Sequence, residues 1–184
     1  MTDDRLNDPP TIQWQGKYIR IMTRGGWEYV ERCGGVGAVV ILAEHDGKVI
    51  LIEQSRVPLG GRLCLELPAG LVGDEDDKGV EETAVKELEE ETGFTAERIE
   101  RLGEFHSSPG MVAEGFDLVR AHGVRPCGKP VEEGIEVHLV ERERVAEFVA
   151  ERRAAGVAID VKLLLLLADK ILPELSRGGG SAER

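Results

Sequence analysis

Glu87, Glu90 and Glu91 lie close together in the run Lys86-Glu87-Leu88-Glu89-Glu90-Glu91-Thr92-Gly93-Phe94. On a helix, positions three and four apart share a face. These three carboxylates therefore group together, and Glu89 points elsewhere. Like charges at that spacing destabilise a bare helix. A hard divalent cation among them reverses the sign, because Mg²⁺ and Mn²⁺ prefer carboxylate oxygen. The Gly-rich segment Pro68-Ala69-Gly70-Leu71-Val72-Gly73 leads towards the same helix. Together the two segments read as a site for a metal and a phosphate. Taken alone, the acidic run reads as a solvated helix face. Leu65 to Gly70 before it and Thr92-Gly93-Phe94 after it favour the site.

The same residues carry a resemblance. The pattern G-x5-E-x7-R-E-U-x-E-E-x-G-U, with U apolar, is the box of the Nudix hydrolases. Gly70, Glu87, Leu88, Glu90, Glu91, Gly93 and Phe94 match it, and Lys86 stands where the pattern has Arg. The first half departs: Gly70 to Lys86 is two residues too long, and Lys78 falls where the pattern has Glu. In the family that Glu and the Arg pair to brace the loop. Here the brace must differ, with Asp74, Glu75 or Asp77 as candidates. The metal-binding half of the box is intact.

Outside the box the chain resembles the ADP-ribose and nucleotide-sugar pyrophosphatases. Gly25 to Arg32 resembles an arm in which a Trp followed by Glu stacks on the nucleobase, which implies that role for Trp27, with Glu28 beside it. A core or interface Trp is the plainer reading. Ile52 to Gly70 resembles the strand-loop-strand before the box. It implies that Arg56 reaches the diphosphate or terminal ribose, since a guanidinium fork matches phosphate. Glu66 would serve the metal or the ribose hydroxyls. Ser107 to Gly115 resembles a loop in which Glu114 touches ribose or metal. The backbone carbonyl of Ala69 is implied as a further metal ligand.

The implied chemistry is hydrolysis of a diphosphate ester, whose negative oxygens repel nucleophiles until a cation neutralises them. A general base must also take a proton from the attacking water. In this branch it comes from an acidic loop before a late strand, here Lys129 to Val140. Glu133 is the first choice and Glu132 the second, because Glu136 falls within the strand. His106 and His138 are bases in principle, but a lone His in a strand is more often packed. The expected catalytic set is Glu133, Glu87 and Glu91, with Mg²⁺ (or Mn²⁺) as cofactor. The leading substrate is ADP-ribose, split to AMP and ribose 5-phosphate. Another nucleotide sugar such as GDP-mannose is the rival. A degenerate domain that binds nucleotide sugars without cleaving them is a different class of reading.

The chain has 184 residues and a net charge of −12, from 23 basic and 35 acidic side chains. That balance disfavours nucleic acid as a partner. Three cysteines, Cys33, Cys64 and Cys127, show no paired spacing and suggest reduced thiols in a cytoplasmic protein. The first ten residues contain no apolar signal core. The longest apolar run, Leu163 to Ala168, is too short to span a bilayer.

The elements that must position the site follow from periodicity. Residues 1–10 read as a loose lead-in. Tyr18 to Arg32 read as a hairpin around Gly25-Gly26. Val36 to Ala43 and Val49 to Glu53 read as a second hairpin around His45-Asp46-Gly47. Residues 79–91 form the box helix, with the stripe Val80, Ala84, Val85 and Leu88. Leu102 to His106, Phe116 to Ala121 and Glu136 to Val140 read as strands. Arg142 to Arg153 and Ile159 to Leu172 read as helices, the second stopped by Pro173. Periodicity alone gives α+β or α/β. The resemblance implies the α/β Nudix fold: an α/β/α sandwich with a mixed sheet, plus an N-terminal β arm. The domains are then residues 1–32 as an arm used in a homodimer, 33–175 as the hydrolase domain and 176–184 as a disordered tail.

Overall fold

The structure is a computed structural model that describes residues 4–35, 37–73 and 79–167. The candidate braces Asp74, Glu75 and Asp77 lie outside the described residues, as do Lys78 and the 176–184 tail.

The arm is a three-stranded antiparallel sheet of β1 (Thr11–Gln15), β2 (Ile19–Arg24) and β3 (Trp27–Arg32). The β2–β3 hairpin turns at Gly25-Gly26 as expected, both at positive φ. Strand β1, which follows the expected lead-in, was not anticipated: Thr11 to Gln15 pair with Arg20 to Thr23.

The body contains β4 (Gly37–Leu42), β5 (Glu44–His45), β6 (Lys48–Arg56), β7 (Arg62–Glu66) and β8 (Ala69–Val72). Helix α1 (Val80–Thr92), β9 (Phe94–Thr95), β10 (Arg98–His106) and β11 (Gly115–His122) follow. Then come β12 (Arg125–Pro126), β13 (Ile135–Glu141), α2 (Val145–Ala154) and β14 (Ala158–Ile159). One sheet has the order β10-β11-β4-β8 and is mixed, because β11 and β4 run parallel. The other has the order β13-β6-β7-β14. The second expected hairpin survives only at its tip, where β5 pairs with β6. Strand β4 leaves for the first sheet, where it finds β8 and β11. The β-branched run is buried on both faces, and that pattern suits a central strand rather than a hairpin arm.

Alternation along β4 explains the sandwich. Val39 and Ile41 face α1 with Ala84, Leu88, Val119 and Ala121. Val40 faces the opposite way with Leu51, Leu65, Leu67 and Leu118, against which Val145, Phe148 and Val149 of α2 pack. Truncating one fully buried residue such as Leu88 costs about 2–5 kcal/mol.

Helix α1 begins after Gly79 and carries Glu81 and Glu82 in its first turn, where negative charge suits the helix dipole. It ends at Gly93, whose left-handed φ of 73° lets its N–H close on Glu89 O. The expected Ile159–Leu172 helix is not what forms among the described residues. Ala158 and Ile159 instead pair in parallel with Cys64 and Leu65. Asp160 then takes the Lys162 N–H at 2.8 Å, and residues Val161–Leu167 form a 3₁₀ helix. The strand pairing commits Ile159 to an extended conformation, so the leucine run starts late and docks through Leu163.

Candidate active site

Gly70 lies on β8 against the middle of α1, and a Cβ there would fall inside the Glu87 side chain. One turn later, Glu91 is 7% exposed and accepts the Ala69 N–H at 2.9 Å. The sequence pointed to the Ala69 carbonyl; the amide of the same residue is what already fixes Glu91. Burial pushes the Glu91 carboxyl up to about 8, with Glu87 and Glu66 adding repulsion and the Ala69 N–H and Arg56 opposing it. Glu90 is exposed and stands 3.8 Å from Lys86. Glu89 points away from the others, as its spacing requires. It ion-pairs with Lys129, which holds its carboxyl below the usual range.

Glu66 is 3% exposed at the end of β7. Arg56, at the end of the paired strand β6, grips it with a two-pronged fork, Nε donating to Oε1 at 2.7 Å. That contact raises the Arg56 pKa. Cys64, on the same strand, is pushed up to about 12 by burial and then by Glu66. Its thiol stays protonated at neutral pH, so it is no nucleophile.

The arm is stitched to the Ser107–Gly115 segment. Trp27 Nε1–H donates to Gly110 O at 3.0 Å, and the residue is 49% exposed. Val30 N–H donates to Met111 O and Val30 O accepts from Ala113 N–H, each at 2.9 Å. Arg32 pairs with Glu114. Glu28 is exposed. A cleft of about 280 Å³ opens between these residues and the starts of β4 and β11, with Glu31, Glu104, Glu114 and Asp117 in its lining. Its size sits near the lower end for small-molecule pockets, ~300 Å³.

Glu133 is exposed in the turn before β13, and Glu136 is in that strand. Glu132 N–H donates to Glu90 O at 2.9 Å, which brings this loop to the end of the box helix. His106 stands 3.7 Å from Glu104. His138 is packed against Phe148 at 5.1 Å between ring centroids, as a strand His usually is.

Sequence reading missed a third buried carboxylate. Glu53 is 2% exposed and is held by a fork from Arg152 at 2.8 and 2.5 Å. His138 and Glu136 approach the same group. Arg152 already supplies the cation there, so the cluster reads as the tie between α2 and its sheet. Only the extreme burial of β6 could have signalled it.

At the Glu91 group, by contrast, the Arg56 fork is spent on Glu66, and Glu91 itself takes the Ala69 N–H. A carboxyl raised first by burial and then by two neighbouring carboxylates, on a helix that Gly70 lets come close to the sheet, fits a hard divalent ion. These features agree with what known proteins show. The NUDIX domain model matches residues 33–155, and the chain belongs to the Nudix family. The ADP-ribose pyrophosphatase of Bacillus subtilis (strain 168) is 46% identical over 79 residues, 42% of this chain and 41% of that one. The methanol dehydrogenase activator of Bacillus methanolicus is 33% identical over 122 residues, 64% of each chain. The matches therefore span less than two thirds of these two relatives. The crystal structure of an ADP compounds hydrolase has the same fold, with a TM-score of 0.65 at 19% identity over 90% of this chain and 93% of that one. No helix among the described residues is long and apolar enough to cross a membrane.

Proposed function

We propose that the chain is an Mg²⁺-dependent pyrophosphatase that hydrolyses ADP-ribose to AMP and ribose 5-phosphate. The observation that carries this reading is the buried Glu91 carboxyl beside Glu87 and Glu66, with Arg56 at its edge. Such a group is costly as an anion unless a cation joins it. The named activity of the Bacillus subtilis relative supports the substrate class.

Glu87, Glu90, Glu91 and the Ala69 carbonyl would hold Mg²⁺ (or Mn²⁺), which when bound neutralises diphosphate oxygens and acidifies water. Arg56 spends Nε and one terminal nitrogen on Glu66. Its remaining N–H groups are available for a diphosphate oxygen. Trp27 offers an aromatic face to the base, with Glu28 beside it and Glu114 near the ribose. The Glu133 carboxylate takes the proton of the attacking water.

The arm supports a homodimer. Trp14 and Ile21 are cross-strand partners, Ile19 lies two residues along the same face, and all three are exposed. A contiguous apolar face of this kind calls for a partner. Three free thiols suit a reducing, cytoplasmic setting.

The test is a panel of nucleotide sugars incubated with the protein and Mg²⁺, followed by alkaline phosphatase and phosphate assay. Phosphate release that is fastest from ADP-ribose is expected. Faster release from GDP-mannose would move the substrate, and none from any member would leave a binding domain.

A further inference from the structure

The loop that carries Glu133 is tied to the last turn of α1 from both ends. Cys127 N–H donates to Gly93 O and Glu132 N–H to Glu90 O, each at 2.9 Å. Gly128 and Gly134, both at positive φ, flank the stretch from Lys129 to Glu133, and Pro130 has no N–H to give. One side chain restrains it. The Lys129 ammonium hydrogen-bonds and ion-pairs with Glu89, whose side chain is only 19% exposed. The backbone is close as well, because a Cβ on Gly93 would come 3.3 Å from Lys129 O.

Helix geometry shows what this restraint aims at. At ~100° per residue, Glu89 and Gly93 share one side of α1, Glu87 and Glu91 share the other, and Glu90 lies between. The loop therefore crosses from the back of the helix, at Glu89, to the rim of the carboxylate face, at Glu90. Glu133 is the next residue after that rim contact.

We infer that Glu89 and Lys129 are positioning residues, a latch that sets where Glu133 stands over the carboxylate face. This rests on Glu133 as the base in the reading above. Glu89 is the one glutamate of the box run that leaves the cation set, and the latch gives it a task. The pair stands partly in solvent, so its hold weakens as salt rises.

Full-length Glu89→Gln, Lys129→Gln and the double variant are compared with wild type in two assays. The first is amide hydrogen exchange across residues 128–134. The second is steady-state hydrolysis of ADP-ribose with Mg²⁺, after melting temperatures confirm folding. Each single variant should speed exchange in the loop. Each should lower kcat by roughly ten- to a hundredfold, the scale of a misplaced group, with KM within about twofold. The double variant should be no worse than either single, since both remove one interaction. Unchanged loop exchange, additive losses, or a loss confined to KM would overturn the latch. A wild-type chain that hydrolyses nothing would instead overturn the hydrolase reading and the catalytic half of this inference with it, whatever the exchange shows.

Discussion

Gly70 and Glu87 face each other across the gap between β8 and α1 with no space for a single methyl between them. Gly70 is not one of the positive-φ glycines, so space rather than backbone freedom requires glycine here. Gly70→Ala should therefore fold and displace the flexible Glu87 carboxyl. Turnover should fall by about a hundredfold, the scale of a small misplacement at a reacting centre, with little change in melting temperature. Full activity in this variant would show that Glu87 can work from elsewhere.

Metal dependence follows from the same carboxylates. EDTA should stop hydrolysis, and Mg²⁺ or Mn²⁺ should restore it. Glu91→Gln keeps the shape of the side chain and removes its charge. It should reduce kcat by roughly a hundredfold or more, the scale of losing one electrostatic contact in the transition state. Undiminished turnover in EDTA would sink the proposed chemistry.

The raised Glu91 carboxyl sets a pH dependence for the metal-free protein. Its folded pKa of about 8 exceeds the unfolded value of ~4.3. The folded state therefore binds the extra proton, and its contribution is complete below the unfolded value. That stability is lost as pH rises through about 8. Stability in EDTA should fall between pH 5 and pH 8.5 by on the order of a few kcal/mol, and melting temperature should fall with it. Glu91→Gln should flatten the fall, and Mg²⁺ should offset it at high pH. A flat profile for the wild type in EDTA would mean that the carboxyl is solvated.

Trp27 gives two readings that one pair of variants separates. Its Nε1–H holds Gly110 O, and the residue is half exposed. If the ring stacks on the base, Trp27→Ala should raise KM more than it lowers kcat, by an amount matching ~1–3 kcal/mol. Trp27→Phe keeps an aromatic ring and loses the Nε1–H hydrogen bond, so its KM should lie much nearer wild type. Equal damage in both variants would point to the arm-to-loop hydrogen bond as the role of Trp27.

The arm face is testable by charge. Trp14→Glu with Ile21→Lys places unlike charges on exposed neighbours, so the arm sheet itself is not strained. Sedimentation should show a dimer in wild type and a monomer in this variant. Deleting residues 1–32 should also cost nucleotide affinity. A wild-type monomer would leave the apolar face without its expected occupant.

Much of this was legible in the sequence because short-range rules govern it. The box helix, the Gly93 stop and the Gly25-Gly26 hairpin depend on neighbours within a few positions, and each appears where it was expected. Pairing choices over long distances were not legible. Nothing local in Val39 to Ile41 says that their partners are Asp117 to Val119 rather than β6. The leucine run after Asp160 has strong helical composition, but the parallel pairing of Ile159 with Leu65 delays its start, and Val161–Leu167 wind as a 3₁₀ helix. The carboxylate types were legible, but their environments were not. Glu53, Glu66 and Glu91 read like any surface glutamate until the fold buries them, and Arg152 lies 99 positions from the Glu53 it neutralises.

Strands β7 and β8 belong to different sheets, yet only Leu67 and Pro68 separate them. Glu66 ends one sheet and Ala69, the clamp on Glu91, begins the other. The carboxylates therefore straddle a splice between the two halves of the core. Glu66 is placed by one sheet, and Glu91 is held through Ala69 to the other. Alignment of the site is thus tied to how the two sheets are seated on each other, a constraint that no single strand carries.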